Sequence, residues 1–168
     1  PQYTLGMKSF FSLLTGLILF ASCQKQVVDQ PPATERIILD TAYAAVSGRQ
    51  TIDLYLPANR NSNTRTIVLI HGGGWSEGSK NDLTFAIPEL RQRLPEYAFA
   101  NIGYRLASNG NTNLFPVQEQ DVKSAVDFIV ANHASLNISP KVVLTGFSAG
   151  GHLALLHGYK NYPCKHVA

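Results

Sequence analysis

The chain has 168 residues, of which 45% are hydrophobic and 15% are charged, a composition that excludes an intrinsically disordered or fibrous protein. Its formal net charge is +3, but the Lys and Arg residues are scattered along the chain and form no basic cluster. This distribution argues against a nucleic-acid partner.

The first 22 residues have the pattern of a secretory signal peptide. Lys8 precedes an apolar run from Phe10 to Ala21, which is shorter than the roughly 20 residues that a membrane-spanning helix needs. The small residues before Cys23 resemble a bacterial lipoprotein signal, in which the cysteine carries the lipid. The alternatives for this segment are a plain signal peptide and an uncleaved membrane anchor. We expect residues 1–22 to be removed, residues 23–35 to form a tether, and the protein to be exported to the periplasm or outer membrane surface.

Two strands are predicted next, and a third follows with a different pattern. Arg36–Asp40 is rich in β-formers, and Thr51–Leu56 alternates apolar residues with Asp53 and Tyr55, as a strand with one solvent-exposed face does. We expect both to be antiparallel edge strands. Thr66–Ile70 is continuously apolar and β-branched, which predicts a strand buried on both faces of a parallel sheet.

Helices and strands alternate in the rest of the chain. The predicted helices are Asp82–Leu94, Pro116–Ala134 and Ala149–Tyr159, and the predicted strands are Tyr97–Ile102 and Lys141–Thr145. Pro88 implies a kink or a late start in the first helix. The alternation predicts an α/β fold, with a mostly parallel sheet, helices on both faces and N-terminal antiparallel strands. Reactive groups are then expected at the carboxyl ends of the parallel strands.

Residues Gly146–Gly150 lie at one such strand end and fit the pattern G-x-S-x-G. Between a strand and a helix, this pattern forms a sharp turn that exposes the serine, here Ser148, in a strained conformation. Glycine on either side allows the turn because a side chain there would collide with neighbouring backbone. Ser148 is therefore the candidate nucleophile.

A second motif, His71–Trp75, follows the buried strand and contains three consecutive glycines. Backbone N–H groups that no side chain shields can bind the oxyanion that develops at a carbonyl under attack. A flexible glycine turn and a phosphate-binding loop are the alternatives. The P-loop Lys and Ser/Thr and the G-x-G-x-x-G spacing are both absent from this segment.

The two motifs in this order resemble the lipase and esterase branch of the α/β-hydrolase superfamily. The resemblance covers roughly Thr51 to Tyr159 and includes the segment Tyr104, Arg105 and Leu106, as well as Asp121. It implies that Ser148 is the nucleophile and that the N–H groups of Gly73, Gly74 and Ala149 form the oxyanion hole. Trp75 and Phe147 would flank the acyl or alcohol pocket, with simple core packing as the alternative for each.

The same resemblance suggests roles for other polar residues. Arg105 and Asp121 are interpreted as a structural ion pair, His71 as a brace for the oxyanion loop, and His152 as structural. The remaining histidines are predicted to lie on the surface; they are His133, His157 and His166.

In this superfamily the catalytic acid and then the histidine follow the serine in the sequence. Only 20 residues remain after Ser148, and none of them is Asp or Glu. We therefore expect residues 36–168 to be the N-terminal part of an α/β-hydrolase domain, incomplete at the C-terminus and inactive alone.

The predicted function is that of a serine carboxylesterase acting on a small-molecule or polysaccharide ester. The resemblance to secreted bacterial esterases suggests removal of acetyl or feruloyl groups from polysaccharide. A serine peptidase on the same fold and a non-catalytic, lipid-anchored binding domain are the alternatives. No metal-ligand spacing occurs and no cofactor is implied, and membrane contact is expected only through a lipid on Cys23.

Overall fold

The computed structural model describes residues 33–161. The signal peptide, Cys23, most of the predicted tether and His166 lie outside these residues. The strands are β1 (Arg36–Ala42), β2 (Thr51–Leu56), β3 (Thr66–Ile70), β4 (Ala98–Ile102) and β5 (Val142–Gly146), and the helices are α1 (Ile87–Arg93), α2 (Val117–Leu136) and α3 (Ala149–Lys160). A 3-10 helix (Lys80–Ala86) precedes α1.

The five strands form one mixed sheet in the order β1-β2-β4-β3-β5. β1 pairs with β2 and β2 with β4 in antiparallel fashion, whereas β3 pairs with both β4 and β5 in parallel. The predicted parallel sheet, entered through antiparallel strands, is confirmed. β2, however, is not an edge strand, because it lies between β1 and β4.

Helices cover both faces of the sheet. The buried side chains of α2 and α3, among them Val122, Ile129 and Leu153, pack with Val68 and Ile70 of β3 in the larger core cluster. On the other face a smaller cluster joins the 3-10 helix and α1 to the sheet and contains Ile87, Leu90, Leu69 and Phe99. Within residues 33–161 no helix has the length and apolar character that crossing a bilayer requires.

The predicted helix at Asp82–Leu94 starts late, as its proline implied. Pro88 occupies a first-turn position of α1, where the missing N–H has no partner to lose. The segment before it forms the 3-10 helix, whose first turn is capped by Ser79 and Asp82. α2 continues two residues beyond its predicted end and stops at Asn137, which adopts the left-handed conformation with φ of 54° that is typical of helix C-termini.

The prediction that one face of β2 is exposed to solvent is wrong. Asp53 is only 4% exposed and Tyr55 is also buried. The 3-10 helix brings Lys80 over this face, where its Nζ lies 2.6 Å from Asp53 Oδ2, and Leu90 of α1 belongs to the cluster around Tyr55. The alternating pattern correctly predicts an amphipathic strand. Its polar face can nevertheless be buried, because Lys80 neutralises the charge of Asp53.

His157 is not a surface residue as predicted, since it is only 2% exposed. Its Nδ1 lies 3.4 Å from Oε1 of Glu119 on α2, and Glu119 Oε2 accepts a hydrogen bond of 2.6 Å from Lys160. The carboxylate thus links α2 to the last two turns of α3. The other predicted surface histidine in the described range, His133, is half-buried and its Nδ1 donates to the Val130 carbonyl at 2.7 Å.

Burial of His157 predicts a stability that depends on pH. Desolvation lowers the pKa of His157, although Glu119 opposes the shift, so the unfolded chain binds the proton more tightly. The contribution of His157 to stability is then present above about pH 6.5 and is lost as the pH falls below that value through the lowered pKa of the folded state. We expect the urea midpoint to fall between about pH 7.5 and about pH 5.5, and His157→Gln to flatten part of that fall. Burial also lowers the pKa of His71, so part of the fall should persist in the variant; equal slopes in both proteins would contradict the assignment to His157.

Candidate active site

The turn between β5 and α3 holds Ser148 in an unusual backbone conformation. Its φ is 53° and its ψ is −117°, a region that a residue with a Cβ occupies only under strain. Ser148 is exposed, and α3 begins at the next residue. This is the geometry expected of a nucleophile elbow, with the serine at the carboxyl end of a parallel strand.

The two glycines of the elbow are required by close backbone approach. A Cβ on Gly146 would lie 2.4 Å from the Gly150 carbonyl carbon, and a Cβ on Gly150 would lie 2.0 Å from the Ile70 carbonyl oxygen. The same Ile70 oxygen accepts a hydrogen bond from the Phe147 N–H at 3.2 Å. The end of β3 and the elbow are therefore in direct backbone contact.

The loop of residues 71–79, here called the glycine loop, leaves β3 beside this elbow. Gly73, Gly74 and Trp75 have φ angles of 103°, 54° and 63°, so three successive residues adopt positive φ. The Gly73 carbonyl accepts hydrogen bonds from the N–H groups of Ser76 and Glu77, at 3.0 and 2.9 Å. A Cβ on Gly73 would lie 2.1 Å from the Glu77 carbonyl oxygen, which explains why glycine stands there.

Hydrogen bonds to the Gly72 carbonyl set the direction of the next N–H. His71 Nδ1 donates to this oxygen at 2.7 Å and the Tyr104 hydroxyl lies 3.2 Å from it. Because a trans peptide is planar with its C=O and N–H antiparallel, an oxygen held on one side directs the Gly73 N–H to the other side. In the same way, the hydrogen bonds from Ser76 and Glu77 to the Gly73 carbonyl set the direction of the Gly74 N–H.

His71 and Tyr104 form a buried stack under the glycine loop. Their ring centroids are 4.1 Å apart with an interplanar angle of 6°. Burial lowers the pKa of His71 and raises the pKa of Tyr104 to about 12, so both are neutral donors near pH 7. The predicted bracing of the loop by His71 agrees with this geometry.

The structure brings the glycine loop and Ser148 together. A Cβ built on Gly72 would lie 3.5 Å from the Ser148 Cβ. Within residues 33–161, the N–H groups of Gly73, Gly74 and Ala149 donate no hydrogen bond. These three donors therefore have no acceptor among the described residues, and the loop that carries two of them adjoins the exposed Ser148.

A groove of about 320 Å³ opens next to the loop. Its walls combine the glycine loop, the segment before α2 and the first turns of α3, with Gly74, Trp75, Ala107, Phe115, Gln118, His152 and Leu153 as lining residues. Trp75 and His152 meet edge to face with ring centroids 5.2 Å apart. His152, interpreted from the sequence as structural, lies in this wall. Phe147 is not among the lining residues; it is 74% exposed and lies against Gly72.

The predicted ion pair of Arg105 and Asp121 is confirmed. Arg105 Nη2 lies 2.6 Å from Asp121 Oδ1, and the Arg105 backbone N–H donates to Oδ2 at 2.8 Å. Gln50 Nε2 also donates to Oδ1 at 2.7 Å. The carboxylate thus joins the loop after β4 to α2 and to the segment before β2.

Among the described residues, Ser148 has no general base hydrogen-bonded to it. Its hydroxyl hydrogen-bonds to no side chain in the range 33–161, and His71 is buried and His157 is held by Glu119. Over the same range no three His, Cys, Asp or Glu side chains converge as ligands for a metal ion.

The mixed sheet, the elbow and the adjoining glycine loop define the α/β-hydrolase fold. The profile of the BD-FAE family matches residues 52–165, which is more than half of the chain. The protein belongs to the BD-FAE family.

Relatives of known activity support this assignment. The chain is 26% identical to the kynurenine formamidase of Danio rerio, covering 80% of this chain and 43% of that protein. It is 30% identical to the arylacetamide deacetylase of Bos taurus, covering 74% of this chain and 31% of that protein. A carbohydrate esterase from gut microbiota, solved in truncated form, superimposes with a TM-score of 0.65 at 29% identity, over 76% of this chain and 44% of that structure. The chain spans less than half the length of the relatives it matches.

Proposed function

We propose that the protein hydrolyses carboxylic esters with Ser148 as the nucleophile. One observation carries the proposal: the exposed Ser148, strained at φ 53°, adjoins the glycine loop at Gly72, and the N–H groups of Gly73, Gly74 and Ala149 have no acceptor among the described residues. Such a pairing stabilises the charge that develops when a hydroxyl attacks an ester carbonyl.

In the proposed reaction, Ser148 Oγ bonds to the carbonyl carbon and its proton passes to a general base. The carbonyl oxygen becomes the oxyanion, which accepts from the N–H groups of Gly73, Gly74 and Ala149. Collapse of this intermediate expels the alcohol, which takes the proton from the base, and water then releases the acid by the reverse sequence.

We further propose a carbohydrate ester as the substrate, with acetyl or feruloyl as the acyl group. The solved carbohydrate esterase from gut microbiota supports this class. The groove of about 320 Å³ has Trp75, Phe115 and His152 in its walls, and rings of this kind suit a flat acyl group or the apolar face of a sugar. Export, with a lipid on Cys23 as the membrane anchor, completes the proposal.

Because residues 36–168 are expected to be inactive alone, the test uses the whole protein and its Ser148→Ala variant. We expect a fluorophosphonate probe to label the wild type at Ser148, and p-nitrophenyl acetate hydrolysis to fall by about 10³-fold or more in the variant. An equal rate in the two proteins would refute the proposal. An aryl formamide and a peptide p-nitroanilide serve as competing substrates. Preference for the formamide would favour the activity named for the Danio rerio relative, and preference for the anilide would favour a peptidase.

A further inference from the structure

The glycine loop is attached to the sheet at both ends, but in different ways. Its first end continues directly from β3. Its last end, at Gly78 and Ser79, leads into the 3-10 helix through Lys80, a lysine that is only 8% exposed. A buried lysine needs partners for its charge, and those partners fix where the loop ends.

Lys80 is held through its side chain and its backbone. Its Nζ lies 2.6 Å from Asp53 Oδ2 and 2.8 Å from Asp40 Oδ1. Asp53 Oδ1 in turn accepts from the Asp40 N–H at 2.7 Å. The Lys80 carbonyl accepts from Nδ2 of the fully buried Asn101 at 2.7 Å. The loop end is thereby fixed to β1, β2 and β4.

The end of the loop packs back on its beginning. Gly78 has a φ of 87°, and a Cβ there would lie 2.9 Å from the Gly72 carbonyl oxygen and 3.0 Å from His71 Nδ1. This is the oxygen whose hydrogen bonds direct the Gly73 N–H. A shift of Gly78 would therefore be transmitted to that peptide within a single contact.

We propose that Lys80 is a positioning residue for the oxyanion hole, holding Gly78 against the Gly72 peptide through its ion pairs with Asp53 and Asp40. The inference rests on the proposed function of Ser148. It assigns Lys80 no contact with substrate. Burial alone would lower the pKa of Lys80, but its two carboxylates raise it overall, so the ammonium stays charged near pH 7.

The test compares Lys80→Met with Lys160→Met in the protein as encoded. Both changes leave a buried carboxylate without its lysine, since Lys160 pairs with Glu119. Lys160 lies at the far end of α3, about 18 Å along the helix from Ser148. The readouts are the fluorophosphonate labelling rate per folded molecule, and kcat and KM with p-nitrophenyl acetate.

We expect Lys80→Met to slow labelling and lower kcat by about tenfold or more, because a displaced donor loses most of its effect, with KM changed less than about twofold. Lys160→Met should lower the unfolding midpoint but leave the labelling rate per folded molecule unchanged. A purely structural Lys80 would behave like Lys160.

A second variant covers the case in which Lys80→Met does not fold. The double change Lys80→Met with Asp53→Leu replaces the buried ion pair by apolar side chains, which folds tolerate well. It should fold and still label slowly. Wild-type labelling by either folded Lys80 variant overturns the proposal for Lys80 alone, whereas failure of the wild type to label at Ser148 overturns the proposed function and this inference together.

Discussion

Gly150→Ala is expected to destabilise the protein by about 3 kcal/mol or more and to abolish labelling of Ser148. The new Cβ would lie 2.0 Å from the Ile70 carbonyl oxygen and 2.6 Å from that of His71. Both oxygens are backbone atoms that a side-chain rotation cannot move, because Ile70 is the last residue of β3 and His71 directly follows it. α3 would have to move away instead, which would break the hydrogen bond from the Phe147 N–H to Ile70 and displace the elbow.

Gly158→Ala is the matched control on the same helix. No atom lies within 4 Å of a Cβ built on Gly158, so only the helix propensity changes. Alanine should there stabilise by about 0.5–1 kcal/mol. Urea unfolding followed by circular dichroism measures both variants. A loss below about 1 kcal/mol for Gly150→Ala would show that α3 can shift without breaking the elbow.

Asp121→Asn is expected to cost about 3–5 kcal/mol of unfolding free energy. The carboxylate side chain is 1% exposed and accepts from the Arg105 guanidinium, the Arg105 N–H and Gln50 Nε2. An amide keeps one acceptor oxygen and would direct its own N–H groups at these donors. The Arg105 charge would also lose its partner. Both the loop after β4, which borders the groove, and the segment before β2 should loosen together.

Asp127→Asn is the control for this change, because Asp127 lies on the same helix and its ion pair with Lys123 is exposed on both sides. It should alter stability by less than about 0.5 kcal/mol. Hydrogen exchange adds a second readout, since Asp121→Asn should speed exchange at Arg105 and leave the amides of β3 protected longest. Equal stability losses in the two variants would contradict the bracing role of Asp121.

Strands β3 and β5 could be predicted from the sequence because both segments are short apolar runs. A short, continuously apolar, β-branched run such as Thr66–Ile70 suits a strand covered on both faces, and the structure has these same bounds. Pro88 likewise marked the start of α1, since its ring and missing N–H exclude it from a helix interior. Local chemistry decides such features, so the chain alone predicts them.

The errors concern residues whose burial depends on distant partners. Asp53 and His157 look like surface residues in their own segments, but Lys80 and Glu119 approach them from elements 27 and 38 positions away in the chain. A polar residue can be buried when such a partner exists, and the local sequence pattern does not show whether it does.

The site likewise has parts that the local sequence predicts and parts that it does not. The elbow and glycine loop follow from their motifs, whereas the groove, with Phe115 and His152 in its wall, is formed by three segments and could be found only in the fold.

The hydrogen bonds accepted by the Gly72 carbonyl fix part of the proposed oxyanion hole before substrate binds. His71 Nδ1 donates to this oxygen, and the Tyr104 hydroxyl is shared between it and the His71 carbonyl, so the peptide that carries the Gly73 N–H cannot flip without breaking these contacts. Under the proposed function, the oxyanion hole is then assembled before any ester arrives, so binding needs no induced fit at this peptide. Free energy of association is not consumed by reorganising the loop and remains available to stabilise the transition state.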